Sequence, residues 1–442
     1  MDTQHRARVQ PPRGTADMFE ADLQKIEYVQ ALGAKVVRSY GFCRVDTPMF
    51  EHLNIFELTA PFSRDKCYVF SDKSGRELVL RPDIMAPISR LVANNCLAGV
   101  FPVKFFFCDK VFRYRHTKRR EFRLFGLETY GSKGFDADAE IIRVAMDIFQ
   151  KIGIDQLVLE FSYPGVYAVL VEEIARIYSL PLDSSDILHQ LQLCKSQEDV
   201  SLLLLENTFP EEMRDFFLRM LFCKDNASSW QLIEELAVRT DKFSKVATDL
   251  MDFSIALDAY HLSGSSMFDI SNLHGLGYYS GLTYRINTVK NNQQLADGGR
   301  YDTFVQSLGG KIVNATGIAF GVERLIRIAE SQDVSIISNM PNALRVLVSS
   351  STGLIMNRLR PILGKLRQRG YVVEEYFQSG KFSQVIKYAQ ARKYDLLLSF
   401  DQSQNNDGRI NVRMLSLEKD QKKDCVIDDA DAAVSSFFNE IL

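Results

Sequence analysis

Little in this chain of 442 residues marks it for a special environment. Its seven cysteines (43, 67, 96, 108, 194, 223 and 425) are scattered, odd in number and never form a CxxC pair, which argues against a disulfide framework and for reduced, packing thiols in a cytoplasmic protein. The six histidines show no metal-ligand spacing. No apolar run is long enough to cross a membrane, and the start, MDTQHRARVQPPRGTADMF, has no apolar core of the kind a signal peptide needs. Charge of one sign is also missing: a net −3 does not hold a protein to nucleic acid by bulk attraction. There is no internal repeat or low-complexity tract. The composition, 46% hydrophobic and 25% charged, is that of a soluble chain of two or three domains.

Periodicity supplies the outline. A helix is expected from about 19 to 40, with Ile26, Val29, Leu32 and Val36 at helical spacing. GFCRVDTPMFE (41–51) reads as a strand broken by Pro48, and strand patterns follow at 67–70, 77–83, 103–114 and 122–131. DADAEIIRVAMDIFQKIG (136–153) has a 3.6-residue apolar repeat and a glycine stop. From about 165 to 262 helical runs succeed one another, which predicts a helical insertion inside a sheet domain spanning 1–330. A polar linker, 331–342, precedes strand and helix alternating over 343–442, the pattern of a small, mostly parallel α/β domain. That domain holds 15 Lys+Arg against 12 Asp+Glu, too small a difference to establish an RNA-binding surface.

The densest stretch is Phe268 to Ile328. FDISNL and GLTYRI alternate like strands, Gly298 and Gly299 suit a tight turn or a close backbone approach, and ATGIAFGVERL reads as a bare glycine backbone opening a helix. A bare backbone, a helix start and Arg324 together suit a phosphate or carboxylate.

In order, RGTAD (13–17), LRPDIMAP (80–87), FRYR (112–115), REFRLFGLETYG (120–131), GLGYYSG (275–281), GGRYD (298–302) and ATGIAFGVERL (315–325) resemble histidyl-tRNA synthetase, a class II synthetase, across nearly the whole chain. The resemblance implies an α+β fold: an antiparallel sheet with flanking helices and a helical insertion, an anticodon-binding-like α/β domain at the C-terminus, and a homodimer formed through the N-terminal segment. It implies that Arg113 and Arg324 hold nucleotide phosphates, that Glu128, Tyr279 and Tyr301 surround a histidine imidazole, and that Asp83 faces its α-amino group. An acid and phenols can pair with a ring that both donates and accepts protons.

The departures are specific. Asp83 stands for a glutamate, Met85 for a threonine and Leu124 for a glutamine. His274 stands for an arginine that would neutralise charge as an adenylate forms, and Gly277 for an aspartate. Asp83, the REF sequence and FDISNLHG are similar to a non-synthetase branch of the family, the regulatory subunit of ATP phosphoribosyltransferase. The leading expectation is therefore a non-catalytic subunit of histidine biosynthesis that binds histidine, with His274 at the pocket, and regulates a short catalytic subunit in a hetero-oligomer. The alternative is a ligase that activates histidine with ATP and magnesium and meets tRNA. An RNA-binding paralogue tethered by its C-terminal domain is a third.

Overall fold

The computed structural model describes residues 10–59, 64–94, 100–116, 119–194, 196–223, 225–273, 279–336, 344–350, 353–377, 381–402, 410–417 and 422–426. The chain divides into two compact units, Met1–Asn339 and Met340–Leu442.

The first unit is built on an eight-stranded sheet. Its strands are β1 (Cys43–Arg44), β5 (Val103–Phe112), β6 (Glu121–Tyr130), β7 (Leu157–Ser162), β8 (Ser266–Phe268), β9 (Thr283–Thr288), β10 (Gln294–Arg300) and β11 (Ala315–Gly321). Their spatial order is β1-β5-β6-β11-β10-β9-β7-β8. All pairings are antiparallel except those of the two edge strands, β1 with β5 and β7 with β8. This is the antiparallel sheet with flanking helices that the resemblance implies. Helices α1 (Glu20–Ser39), α4 (Asp136–Ile152) and α12 (Val322–Ser331) pack on or beside it. Helix α4 buries eleven residues, Ile141, Ile142, Ala145, Ile148 and Phe149 among them, and stops where Gly153 turns left-handed at φ 109°. A second sheet, β2 (Phe50–His52), β4 (Glu77–Leu80) and β3 (Tyr68–Ser71), lies beside α2 (Leu53–Thr59) and α3 (Met85–Ala93), against which the single turn α11 (Phe304–Ser307) packs.

Among the described residues six helices, α5 to α10, succeed one another from Gly165 to Ala259. Their starts are written in the sequence. Asp183 and Asp225 accept the backbone N–H groups of Asp186 (3.0 Å) and Ser228 (2.8 Å), and Ser196 forms a reciprocal box with Asp199. No described helix is long and apolar enough to cross a membrane.

In the second unit β12 (Arg345–Ser350) lies parallel to β13 (Val372–Glu375) and β14 (Leu396–Gln402), and helices α13 (Gly353–Gln368) and α14 (Phe382–Ala391) connect them. Two antiparallel strands follow, β15 (Ile410–Ser416) and β16 (Lys422–Val426), so the sheet is mixed rather than mostly parallel.

Several local expectations need correction. GFCRVDTPMFE is not one strand: Cys43–Arg44 joins the large sheet and Phe50–His52 the small one. FDISNL stops being a strand at Phe268, because the Asp269 carboxylate takes the N–H and hydroxyl of Ser271 (3.0 and 2.6 Å) and bends the chain. Gly298 and Gly299 are no turn but lie within β10, just before its last residue, and ATGIAFG is strand β11, with the helix beginning only at Val322. Their glycines serve close packing: a β-carbon at Gly299 would come within 2.6 Å of the Tyr279 ring, and one at Gly317 would overlap the Glu128 carboxylate. His274, Gly277 and Tyr278 lie outside the described residues, as do positions 337–342 of the expected linker.

Candidate active site

Side chains alternate across a strand, so one face of the large sheet collects every second residue of its central strands. On β6 these are Phe122, Leu124, Gly126, Glu128 and Tyr130, and on β10, continued past its end, Asp297, Gly299 and Tyr301. Gly317 of β11 pairs with Glu128, and its missing side chain is the space the carboxylate occupies.

Two neighbouring regions form on this face. The deeper one is closed and acidic. Glu128 is buried and accepts a short hydrogen bond from the Tyr301 hydroxyl. Tyr130 stands edge-on to Tyr301 (ring centroids 6.2 Å) and shares a 2.9 Å hydrogen bond with Ser89. Burial pushes the Glu128 carboxyl well above the usual carboxylate range. The Tyr301 bond pulls the other way, and the nearby Asp83 adds to the rise. Tyr279 lies against Gly299, its phenol raised by burial and by Asp297, Glu128 and Asp83. Asp83 is half-buried; its carboxylate accepts the N–H of Ile84 at 2.7 Å, and burial raises its pKa against the pull of Arg113. The Arg81 guanidinium pins that segment from behind, donating to the carbonyls of Thr47 (2.5 Å) and Lys110 (3.0 Å).

The second region is a cavity of about 760 Å³ whose walls include Arg113, Arg115, Arg119, Phe122, Asp297 and Arg324. Arg113 donates to the Pro82 carbonyl at 2.7 Å, and Arg113 and Arg115 lie 5.4 and 5.3 Å from the centre of the Phe122 ring. Burial, with Arg113 and Arg324 nearby, lowers the pKa of Arg115. Glu323, the second residue of α12, accepts from the Arg123 backbone N–H (2.9 Å) and guanidinium (3.1 Å), which ties the helix start to β6 and leaves Arg324 exposed at the cavity. Leu124 adds an apolar wall to the same cavity.

The structure thus gathers Asp83, Glu128, Tyr279 and Tyr301 in one place and Arg113 with Arg324 in the next, with Asp83 and Asp297 between them. Sequence reasoning missed Asp297, Arg115 and the Ser89–Tyr130 pair. Period two could have found the first: Asp297 is two residues from Gly299 and four from Tyr301, on the same face.

The family profile described as Histidyl-tRNA synthetase matches residues 14–325. The histidine–tRNA ligase of Methanocaldococcus jannaschii is 27% identical over 408 residues, covering 91% of this chain and 94% of that one. That of Syntrophomonas wolfei is 30% identical over 393 residues, covering 86% and 88%. Six further curated relatives, 25–28% identical, carry the same name. Among solved structures, an ATP phosphoribosyltransferase regulatory subunit/histidyl-tRNA synthetase from Bacillus halodurans superimposes with a TM-score of 0.73, covering 89% of this chain and 99% of that one. At 18% identity that likeness shows the fold alone. The expectation of a non-catalytic regulatory subunit acting on a short catalytic partner is overturned: the relatives that align along almost the whole chain are named as ligases. On the profile match and these alignments together, the chain belongs to the histidyl-tRNA synthetase family.

Proposed function

We propose that the protein is a histidine–tRNA ligase that joins histidine to ATP as an adenylate and passes it to tRNA. The observation that carries this reading is adjacency: a cationic cavity opens beside a buried cluster of one acid and several phenols, with Asp83 and Asp297 at the join. In this reading Glu128 and Tyr301 take the imidazole, Tyr279 closes one side and Asp83 receives the α-amino group. Arg113 and Arg324 hold phosphates, and the Phe122 ring that already carries Arg113 offers a flat wall to the adenine base. Magnesium would enter with the nucleotide, held chiefly by phosphate oxygens, with Asp297 among the carboxylates that line the cavity. Residues 165–262 hold 8 Lys+Arg against 17 Asp+Glu, so most contacts to tRNA phosphates would fall to the rest of the chain, at a net +6. A cytoplasmic location belongs to the same reading.

His274 takes the place of the family's arginine. Loss of a fixed charge from a developing anion costs about 3 kcal/mol, on the order of a hundredfold in rate, so activation should be slow. Histidine-dependent exchange of pyrophosphate into ATP tests this. Exchange is expected in the parent and should rise in His274→Arg; its absence from both proteins sinks the ligase.

A further inference from the structure

The opposite, helix-covered face of the same strands holds a buried ion pair that the proposed chemistry does not use. Arg300, from β10, meets the Asp138 carboxylate of α4, and their side chains are 7% and 0% exposed. The Arg300 guanidinium also donates to the Gly134 carbonyl and lies 5.1 Å from the centre of the Phe135 ring. The other Asp138 oxygen accepts from Thr316 (2.6 Å), whose hydroxyl shares a further 2.6 Å hydrogen bond with Tyr284. A buried ion pair contributes little net stability over a well-packed apolar substitute, so its presence calls for another reason.

The backbone supplies one. The Arg300 carbonyl accepts the Ser280 N–H (2.7 Å), its N–H donates to Leu282 (2.8 Å), and Asp302 takes the Ala315 N–H (2.8 Å) while donating its own to the Ser280 hydroxyl (2.8 Å). Arg300 therefore sits between Gly299, on which the Tyr279 ring rests, and Tyr301, whose hydroxyl reaches Glu128. Because neighbours on a strand face opposite ways, holding the Arg300 side chain on the helix side holds Tyr301 on the pocket side.

We propose that Asp138 and Arg300 are positioning residues for the amino-acid pocket, an ion pair on the back of the sheet that sets the placement of Tyr301 and Tyr279 on its front. The pocket's occupant rests on the ligase reading; the mechanical coupling does not.

The test uses the full chain and the variants Asp138→Asn, Arg300→Gln and the double variant. In pyrophosphate exchange, each single variant should raise KM for histidine about ten- to a hundredfold, the usual effect of a displaced contact, and leave KM for ATP nearly unchanged. The double variant, with no unpaired charge left buried, should recover part of the loss. Equal changes in both KM values, or a lower melting temperature with neither KM moved, overturn the proposal. Amide hydrogen exchange keeps the test independent of activity and of the ligase reading. Peptides covering 279–302 should lose protection in Asp138→Asn while those covering 121–130 keep theirs, and unchanged protection at 279–302 overturns it. Should the single variants fail to fold, Arg300→Lys, which keeps the charge and loses the planar fork, is read by the same two measurements.

Discussion

A carboxyl shut beneath a phenol and against a bare glycine is held neutral more strongly than one in water. At Glu128 burial outweighs the Tyr301 hydrogen bond, and its pKa stands well above the ordinary 4.5. The sign of the stability effect follows. The folded chain keeps this proton at pH values where the unfolded chain has released it, so the stabilising share is complete below the ordinary carboxylate range. It is lost as pH rises toward the folded pKa. Asp83 and Asp138, both raised first by burial, act in the same sense. Glu128→Gln removes one of these groups and keeps its shape, so its melting temperature should fall less than the parent's between pH 5 and pH 8. In the complex the buried carboxyl can pass its proton to the imidazole and pair with it as a charge, which glutamine cannot, so calorimetry should show histidine binding weakened by about 1.5–3 kcal/mol, roughly ten- to a hundredfold. Parallel melting curves with unchanged affinity would place the imidazole elsewhere.

Among the elements, α12 shows how a helix start becomes part of a site. Glu323 is buried and spends both carboxylate oxygens on Arg123 of β6, which leaves the next residue, Arg324, at the cavity mouth. Glu323→Ala strands the Arg123 N–H and should cost about 1–3 kcal/mol in denaturant unfolding, with a higher KM for ATP. A drop in stability without any change in that KM would separate the anchor from the site. The element scale is also where the sequence was most unevenly legible. Helix α4 is written out by its apolar repeat and Gly153, and the insertion helices by Asp183, Ser196 and Asp225 at their starts. Strand β6 was read nearly to its ends, and so was the place of Glu128. Gly298 and Gly299 misled because a local reading assigns glycine to a turn, and Gly317 because it reads as the bare start of a helix, whereas here the reason is distant: Tyr279, Tyr284 and Glu128 fill the space a side chain would take. β15 and β16 were missed because antiparallel strands of mixed polarity leave a weak period.

For the whole molecule, ordered motifs spread over the chain identified the family, while the choice of branch rested on a few positions, Asp83, the REF sequence, FDISNLHG and the departure at His274, and those favoured a reading that the aligned relatives overturn. Single substitutions change the chemistry of a pocket more readily than they report ancestry. Assembly is the remaining expectation at this scale, and the first unit shows where it would act. β1 leaves one edge of the large sheet with Cys43 and Arg44 exposed. Beside the small sheet, Met49, Phe50 and Phe70 are 48%, 54% and 41% exposed, and the two rings stand edge to face at 6.3 Å. Exposed aromatics on a short sheet, near a strand edge left unpaired among the described residues, are costly in water, and a second copy presenting the same surface would cover them. Light scattering at micromolar concentration should return the mass of a dimer, and Phe50→Asp, which puts a charge where a partner would bury a ring, should shift it toward the monomer with little loss of thermal stability. A parent that scatters as a monomer throughout, or a Phe50→Asp variant that remains fully dimeric, would move the interface away from this segment.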